Sequence, residues 1–187
     1  MPNTKVTDEE LRAIDRPNQN FLEWKTFLEF IKAYFENRGM THPTVVEIGT
    51  HTGAQKGNYE RFLGAFHIGI DVSDKYSKPD ILGDSHGPET MTRLKALLKE
   101  RPIDLLFIDA EHTYADSLAE YETYGPLVTD IIAFHDIKCI AEIGRLFSDI
   151  QERERNNPHV VFLTIGAWQS GKYQVGIGMM IKQRNNG

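Results

Sequence analysis

The sequence predicts an α/β fold: a three-layer sandwich around an open, mostly parallel sheet whose last strand is antiparallel. Three observations carry this. Five short apolar runs recur along the chain, over residues 44–49, 67–71, 80–84, 103–109 and 131–136, and each reads as a buried strand. Stretches with helical periodicity separate them, the alternation expected of parallel strands joined by crossover helices. Acids and histidines gather where each run ends: Glu47, Asp71, Asp84, Asp109, His135 and Asp136. Ligands of such sheets bind outside the carboxyl ends of the strands. Five polar endings in chain order therefore describe a ligand-binding edge.

The elements follow in order. Thr7-Asp8-Glu9-Glu10 has the form of a capping box and opens a short helix that Pro17 should end. Asn20 and Glu23 repeat the pattern at a longer helix. There Trp24, Phe27, Leu28, Ile31, Tyr34 and Phe35 recur at helical spacing, a stripe that suits core packing, and Gly39 closes it. Further helices are expected over residues 54–66, 88–100, 114–124 and 138–155. Pro88 fits a first helical turn, and Gly125-Pro126 is a strong stop, followed by a short turn at Val128-Thr129-Asp130 before the fifth strand. Residues 160–165 and 173–181 are β-like and joined by a polar turn at Gln169-Ser170-Gly171-Lys172, so a terminal hairpin should set the last strand antiparallel. No repeat or linker interrupts the 187 residues. The expectation is one domain over 1–187, with N-terminal helices in 1–40 and a Rossmann-like core over 44–181.

Bulk properties narrow the partners. Apolar residues make up 40% and charged residues 26% of the chain, ordinary values for a globular protein. The net charge of −6, with no stripe dense in Lys and Arg, argues against a nucleic-acid partner. Cys139, the single cysteine, excludes an internal disulfide and suits a reducing compartment. No apolar run has the length of a membrane span, and the polar N-terminus lacks a signal-peptide core. A cytoplasmic location without a membrane partner is expected, and homo-oligomerisation is left open.

Two sets of residues suggest chemistry. Glu47-x-Gly49-x-x-x-Gly53 follows the first strand and precedes a helix, where glycines admit a ligand close to backbone and the helix start offers free N–H groups. It lacks the third glycine of the dinucleotide fingerprint. Asp71 closes the second strand, where an acid can accept hydrogen bonds from two ribose hydroxyls. Asp84 and Ser85 close the third, within reach of an adenine amino group, although an Asx-turn would use Asp84 equally well. The second set is Asp109, His112, His135 and Asp136, at the ends of strands four and five. Asp109 and Asp136 offer hard oxygen ligands for a divalent cation.

With Val46-Glu47-Ile48-Gly49-Thr50-His51-Thr52-Gly53, Gly69-Ile70-Asp71, Gly83-Asp84-Ser85-x-x-Pro88-Glu89-Thr90, Ile108-Asp109-Ala110-Glu111-His112-Thr113-Tyr114, Glu120-x-Tyr-x-x-Tyr124-Gly125-Pro126 and Phe134-His135-Asp136, the chain resembles the class I S-adenosylmethionine-dependent methyltransferases. It is most similar to their metal-dependent group, which contains the cephalosporin hydroxylase family and the macrolide-sugar O-methyltransferases. The resemblance implies a seven-stranded sheet and S-adenosyl-L-methionine as cofactor, held by Glu47, Gly49, Gly53, Asp71, Asp84 and Ser85. It also implies a Mg²⁺ or Mn²⁺ ion on Asp109, His135 and Asp136, with His112 as the catalytic base. The acceptor it implies is a small hydroxylated molecule, a sugar or a glycosylated metabolite. Such a hydroxyl ionises about 5 pKa units above neutrality, so full ionisation would cost about 7 kcal/mol; a cation lowers that cost. One departure matters. Where the group commonly carries two consecutive acids after strand five, this chain has His135-Asp136, and imidazole shifts preference toward Mn²⁺, Fe²⁺ or Zn²⁺. A non-catalytic module that binds the same nucleoside is the alternative.

Overall fold

The computed structural model describes residues 5–14, 20–166 and 175–183; the expectations placed on Pro17 and on the turn at 169–172 lie outside them. Two helices come first, α1 (Asp8–Ala13) and α2 (Phe21–Asn37). Thr7 caps α1 by accepting from the Glu10 amide, and Asn20 caps α2 by accepting from the amides of Leu22 and Glu23. The core then alternates as β1 (Thr44–Ile48), α3 (Ala54–Leu63), β2 (Phe66–Asp71), β3 (Ile81–Leu82), α4 (Pro88–Leu98), β4 (Ile103–Ile108), α5 (Tyr114–Tyr124), β5 (Val128–Phe134), α6 (Ala141–Arg153), β6 (Val160–Ile165) and β7 (Ile177–Lys182).

The seven strands form one sheet in the order β3-β2-β1-β4-β5-β7-β6. Strands β1 to β5 run parallel, while β7 is antiparallel to both β5 and β6. This is the α/β sandwich expected from the sequence. The chain builds outward from β1 through β2 and β3, then crosses back to β4. Strand order therefore reverses between β1 and β4, and a crevice opens at their carboxyl ends.

Side chains alternate across the sheet with period two. Val45, Leu105, Phe107, Ile131, Ala133 and Met179 face α2 and α3, whose Trp24, Phe27, Ile31, Tyr59 and Phe62 cover them. Val46, Ile48, Leu106, Ile108, Ile132 and Phe134 face the other way, under α4, α5 and α6. Both faces of the parallel strands are thus buried, which explains their near-continuous apolar runs. No helix among the described residues is long and apolar enough to cross a membrane.

Three expectations need correction. The run at 80–84 is not a buried strand: only Ile81 and Leu82 pair, on one side, and Leu82 is 44% exposed at the sheet edge. The third helix stops at Leu63 because Gly64 turns left-handed and Phe66 opens β2. Val128-Thr129-Asp130 is not a turn but the start of β5. Asp130 is fully buried there, paired with Arg38 at 3.0 Å and accepting from the Tyr34 hydroxyl.

Candidate active site

The strand ends are held together past the last sheet residues. Gly49 donates to the Ile70 carbonyl, Asp109 to the Ile48 carbonyl and His135 to the Ile108 carbonyl, at 2.9, 2.9 and 3.1 Å. Gly49, Asp109 and His135 consequently stand side by side above β1, β4 and β5. A cavity of about 590 Å³ opens there, within the range of small-molecule sites. Of the residues expected in the site, Gly49, Asp71, Asp84, Ser85, Asp109, His112, His135 and Asp136 line it.

Gly49 has φ +88°, and a β-carbon on it would meet the Asp109 carbonyl oxygen at 2.2 Å. The crevice between β1 and β4 is therefore floored by bare backbone, which fits a flat or extended ligand lying across it. Asp71 stands at one rim. Its Oδ2 accepts from the His51 amide at 2.8 Å and its Oδ1 from the Ser73 amide at 2.9 Å. Each carboxylate oxygen carries a second lone pair that a ribose hydroxyl can use.

Asp84 is exposed and accepts from the His86 amide and from His86 Nδ1 at 2.9 and 3.1 Å, an Asx-turn. These bonds hold its carboxyl below the usual range. Ser85 is buried and donates to Glu120 Oε1 at 2.7 Å, while the Tyr124 hydroxyl donates to the Ser85 carbonyl at 2.5 Å. Helix α5 thus fixes the loop after β3 from behind. Glu120 is wholly enclosed, and burial pushes its carboxyl up.

Two expected residues lie apart from the cavity wall. Glu47 is fully buried on the α3 side of the sheet, where its Oε2 pairs with His67 Nε2 at 2.8 Å and burial pushes its carboxyl up. Its Oε1 is enclosed without a protein partner. Gly53 begins α3 in the left-handed region, φ +71°, so it shapes the loop and leaves the cavity contacts to Thr52 and Gln55.

Four side chains converge at the other side of the cavity. The ligand atoms of Asp109, His112, His135 and Asp136 lie within 4.8 Å of one another. His112 Nε2 is 3.2 Å from Asp109 Oδ1 and 3.0 Å from Asp136 Oδ2. His135 Nδ1 is 3.0 Å from Asp109 Oδ1 and 3.3 Å from Asp136 Oδ1. Two of the four, His112 and Asp136, take left-handed backbone angles, φ +55° and +60°, an arrangement that costs energy and clusters at functional sites.

The electrostatics follow from this packing. The two carboxylates, Asp109 first, push His112 up to about 10. Burial pulls His135 down, but the same carboxylates outweigh it and raise the imidazole to about 9. Burial likewise opposes the charge on Asp136, yet hydrogen bonds from His112 and His135 hold its carboxyl far below the usual range. Two carboxylates and two imidazoles at these distances demand positive charge among them, supplied by protons or by a divalent ion. The donor set fits such an ion. His112 can accept a proton at neutral pH only when something other than its own proton balances the carboxylates. Cys139, whose thiol lies 3.1 Å from Asp136 Oδ1, is pushed up to about 12 by burial and by that carboxylate.

Sequence reasoning did not find Glu120, His67 or His86 as supports of the site. Glu120 lay within a quoted motif but without a role; the other two carried no spacing signal.

No protein-family model and no curated protein sequence matches the chain. Solved structures do. The MycE methyltransferase of the mycinamycin biosynthetic pathway, in complex with Mg, SAH and mycinamycin VI, superposes over 99% of this chain and 55% of its own, with TM-score 0.64 and 18% identity. The chain thus spans about half the length of MycE. An O-methyltransferase from Bacillus cereus in complex with SAH matches over 95% of this chain and 87% of its own, TM-score 0.57, 19% identity. A tomaymycin-synthesis O-methyltransferase from Streptomyces achromogenes, TomG, in complex with SAM, covers 95% of this chain and 91% of its own, TM-score 0.55, 13% identity. The fold is that of the class I S-adenosylmethionine-dependent methyltransferases.

Proposed function

We propose that the chain is an S-adenosylmethionine-dependent O-methyltransferase acting on a hydroxyl of a small acceptor, a sugar or glycosylated metabolite, with a divalent cation assisting. One observation carries the reading: the Asp109, His112, His135 and Asp136 cluster lines the same cavity as Gly49, Asp71, Asp84 and Ser85. A module that only bound a nucleoside would have no use for such a cluster beside it. The presence of Mg, SAH and mycinamycin VI together in the MycE structure supports the reading by analogy of fold.

The cofactor supplies an electrophilic methyl group, and the cation supplies charge that makes a hydroxyl more acidic. The chain's residues bind and orient. Asp71 accepts from the ribose hydroxyls, Asp84 and Ser85 face the adenine edge, and the backbone at Gly49 lets the ligand lie close, while Gly53 shapes the loop that carries Thr52 to the cavity. Glu47, fully buried behind the cavity wall and paired with His67, does not reach the ligand. Asp109, His135 and Asp136 hold the cation. His112, whose side chain is 39% exposed against 7% for His135, stands nearer the opening and takes the acceptor's proton. Holding the acceptor oxygen in line with the methyl group is worth several kcal/mol of the barrier, on the order of 7–11 in the most favourable cases.

The test is SAH formation from S-adenosylmethionine with a panel of sugars and glycosylated macrocycles, with EDTA or with Mg²⁺ or Mn²⁺ added. Acceptor-dependent turnover that EDTA abolishes is expected. Tight SAH binding without transfer to any acceptor would favour the non-catalytic module, and absence of SAH binding would end both readings.

A further inference from the structure

We infer that His135 is the ion-selectivity determinant of this centre, which is built for a first-row transition ion such as Mn²⁺ or Co²⁺ and discriminates against Mg²⁺. The inference rests on the cation site proposed above. It does not depend on methyl transfer.

Four observations point the same way. Of the four cluster side chains, His135, Asp109 and Asp136 are the enclosed three, with side-chain exposures of 7, 12 and 15%. His135 Nδ1 lies between the two carboxylates, 3.0 Å from one and 3.3 Å from the other, so a cation bridging Asp109 and Asp136 takes the imidazole nitrogen as its third protein donor. The ring is buried against Phe107, 6.0 Å centroid to centroid. Its Nε2 is enclosed without a protein partner. The neutral tautomer that would bind an ion through Nδ1 carries its hydrogen on Nε2.

The ion preference follows from donor chemistry. Mg²⁺ demands an octahedron of oxygens and gives up its waters reluctantly. A buried imidazole set beside both carboxylates would put one nitrogen into its shell. Mn²⁺ and Co²⁺ accept imidazole nitrogen together with carboxylate oxygen, and affinity at such a site rises along the first-row series. Asp136, held in a left-handed conformation directly after His135, turns its carboxylate back onto the same point. Consecutive residues on one strand end thereby supply nitrogen and oxygen to a single ion.

The experiment uses the full chain and needs no acceptor. Mg²⁺, Mn²⁺ and Co²⁺ are titrated separately by calorimetry, with SAH binding measured in parallel. The protein loaded with Mn²⁺ is then examined by pulsed electron paramagnetic resonance for coupling to a directly bound ¹⁴N. Wild type should bind Mn²⁺ or Co²⁺ at least about 100-fold more tightly than Mg²⁺ and show the nitrogen coupling. His135→Asp should narrow the ratio at least about tenfold and remove the coupling, leaving SAH affinity unchanged. Equal affinity for Mg²⁺ and Mn²⁺ in wild type would overturn the proposal, as would Mn²⁺ bound without nitrogen coupling. Should His135→Asp fail to fold, the wild-type ion ratio and a nitrogen coupling that persists in His112→Ala decide the matter, and a coupling lost with His112 overturns the proposal. SAH binding with no ion bound overturns the metal centre but leaves the cofactor site standing; loss of both would indict the functional reading itself.

Discussion

The backbone of Gly49 runs against the carbonyl of Asp109 so closely that a β-carbon on Gly49 would stand 2.2 Å from that oxygen. One residue ends the first strand and the other ends the fourth, and together they floor the cavity. The contact joins the cofactor side of the site to the cation side through main chain alone.

Gly49→Ala should therefore damage both. The φ of +88° and the carbonyl clash add up to about 2–4 kcal/mol of lost stability. Urea unfolding should report that loss, and calorimetry should show weaker SAH binding. An alanine variant as stable as wild type would mean the strand ends are looser than described.

Asp71→Ala should weaken S-adenosylmethionine affinity at least tenfold, about 1.4 kcal/mol. The carboxylate also accepts from the His51 and Ser73 amides, so Asp71→Asn, which keeps one acceptor oxygen, should lose less. A folded alanine variant with wild-type affinity would take Asp71 out of the site.

Cation binding should be proton-linked. With His112 raised to about 10 and His135 to about 9, both imidazoles carry protons at pH 7 that an ion on the carboxylates displaces. Affinity for Mn²⁺ should rise with pH up to about 10. Calorimetry in buffers of different ionisation heat should show protons released on binding. The same shifts set the stability of the ion-free protein. Both folded pKa values lie above the unfolded value near 6.5, so their contribution is full below pH 6.5 and is lost as pH rises toward 10. Saturating Mn²⁺ should flatten that decline, and an ion-free protein with no decline would contradict the packing of the cluster.

His112→Ala should cut the transfer rate by about 10²- to 10⁴-fold, the usual worth of a general base, with SAH affinity little changed; the ion-free variant should melt lower than wild type, since the protonated imidazole no longer balances the carboxylates. A variant that keeps its rate on a confirmed acceptor places the base elsewhere. One that loses SAH binding makes His112 a structural residue.

Much of this was legible locally. Thr7 and Asn20 announce helix starts because a cap acts within three residues, and the strand endings at Asp71, Asp109 and Asp136 follow from apolar runs that stop. What failed needed distant partners. Asp130 looked like turn chemistry, but Arg38 and Tyr34 bury it in β5. The run at 80–84 looked like its neighbours, yet it sits at the edge with one partner strand. The Glu47–His67 pair depends on how β1 and β2 align, and Ser85 meets Glu120 across 35 residues. The carboxylates that raise His112 likewise come together only in the fold.

The reversal of strand order between β1 and β4 divides labour along the chain. Residues from Ile48 to His86 line the half of the cavity proposed to take the nucleoside, and those from Asp109 to Asp136 line the half proposed to hold the cation and the base. Because the halves meet at the Gly49–Asp109 backbone and at the bonds that Ser85 makes with Glu120 and Tyr124, changes of acceptor or metal can accumulate in the second without rebuilding the first wherever those contacts are kept. A chimera exchanging the β4–β5 segment with that of a similarly folded protein should inherit the donor's ion and keep its own hold on SAH.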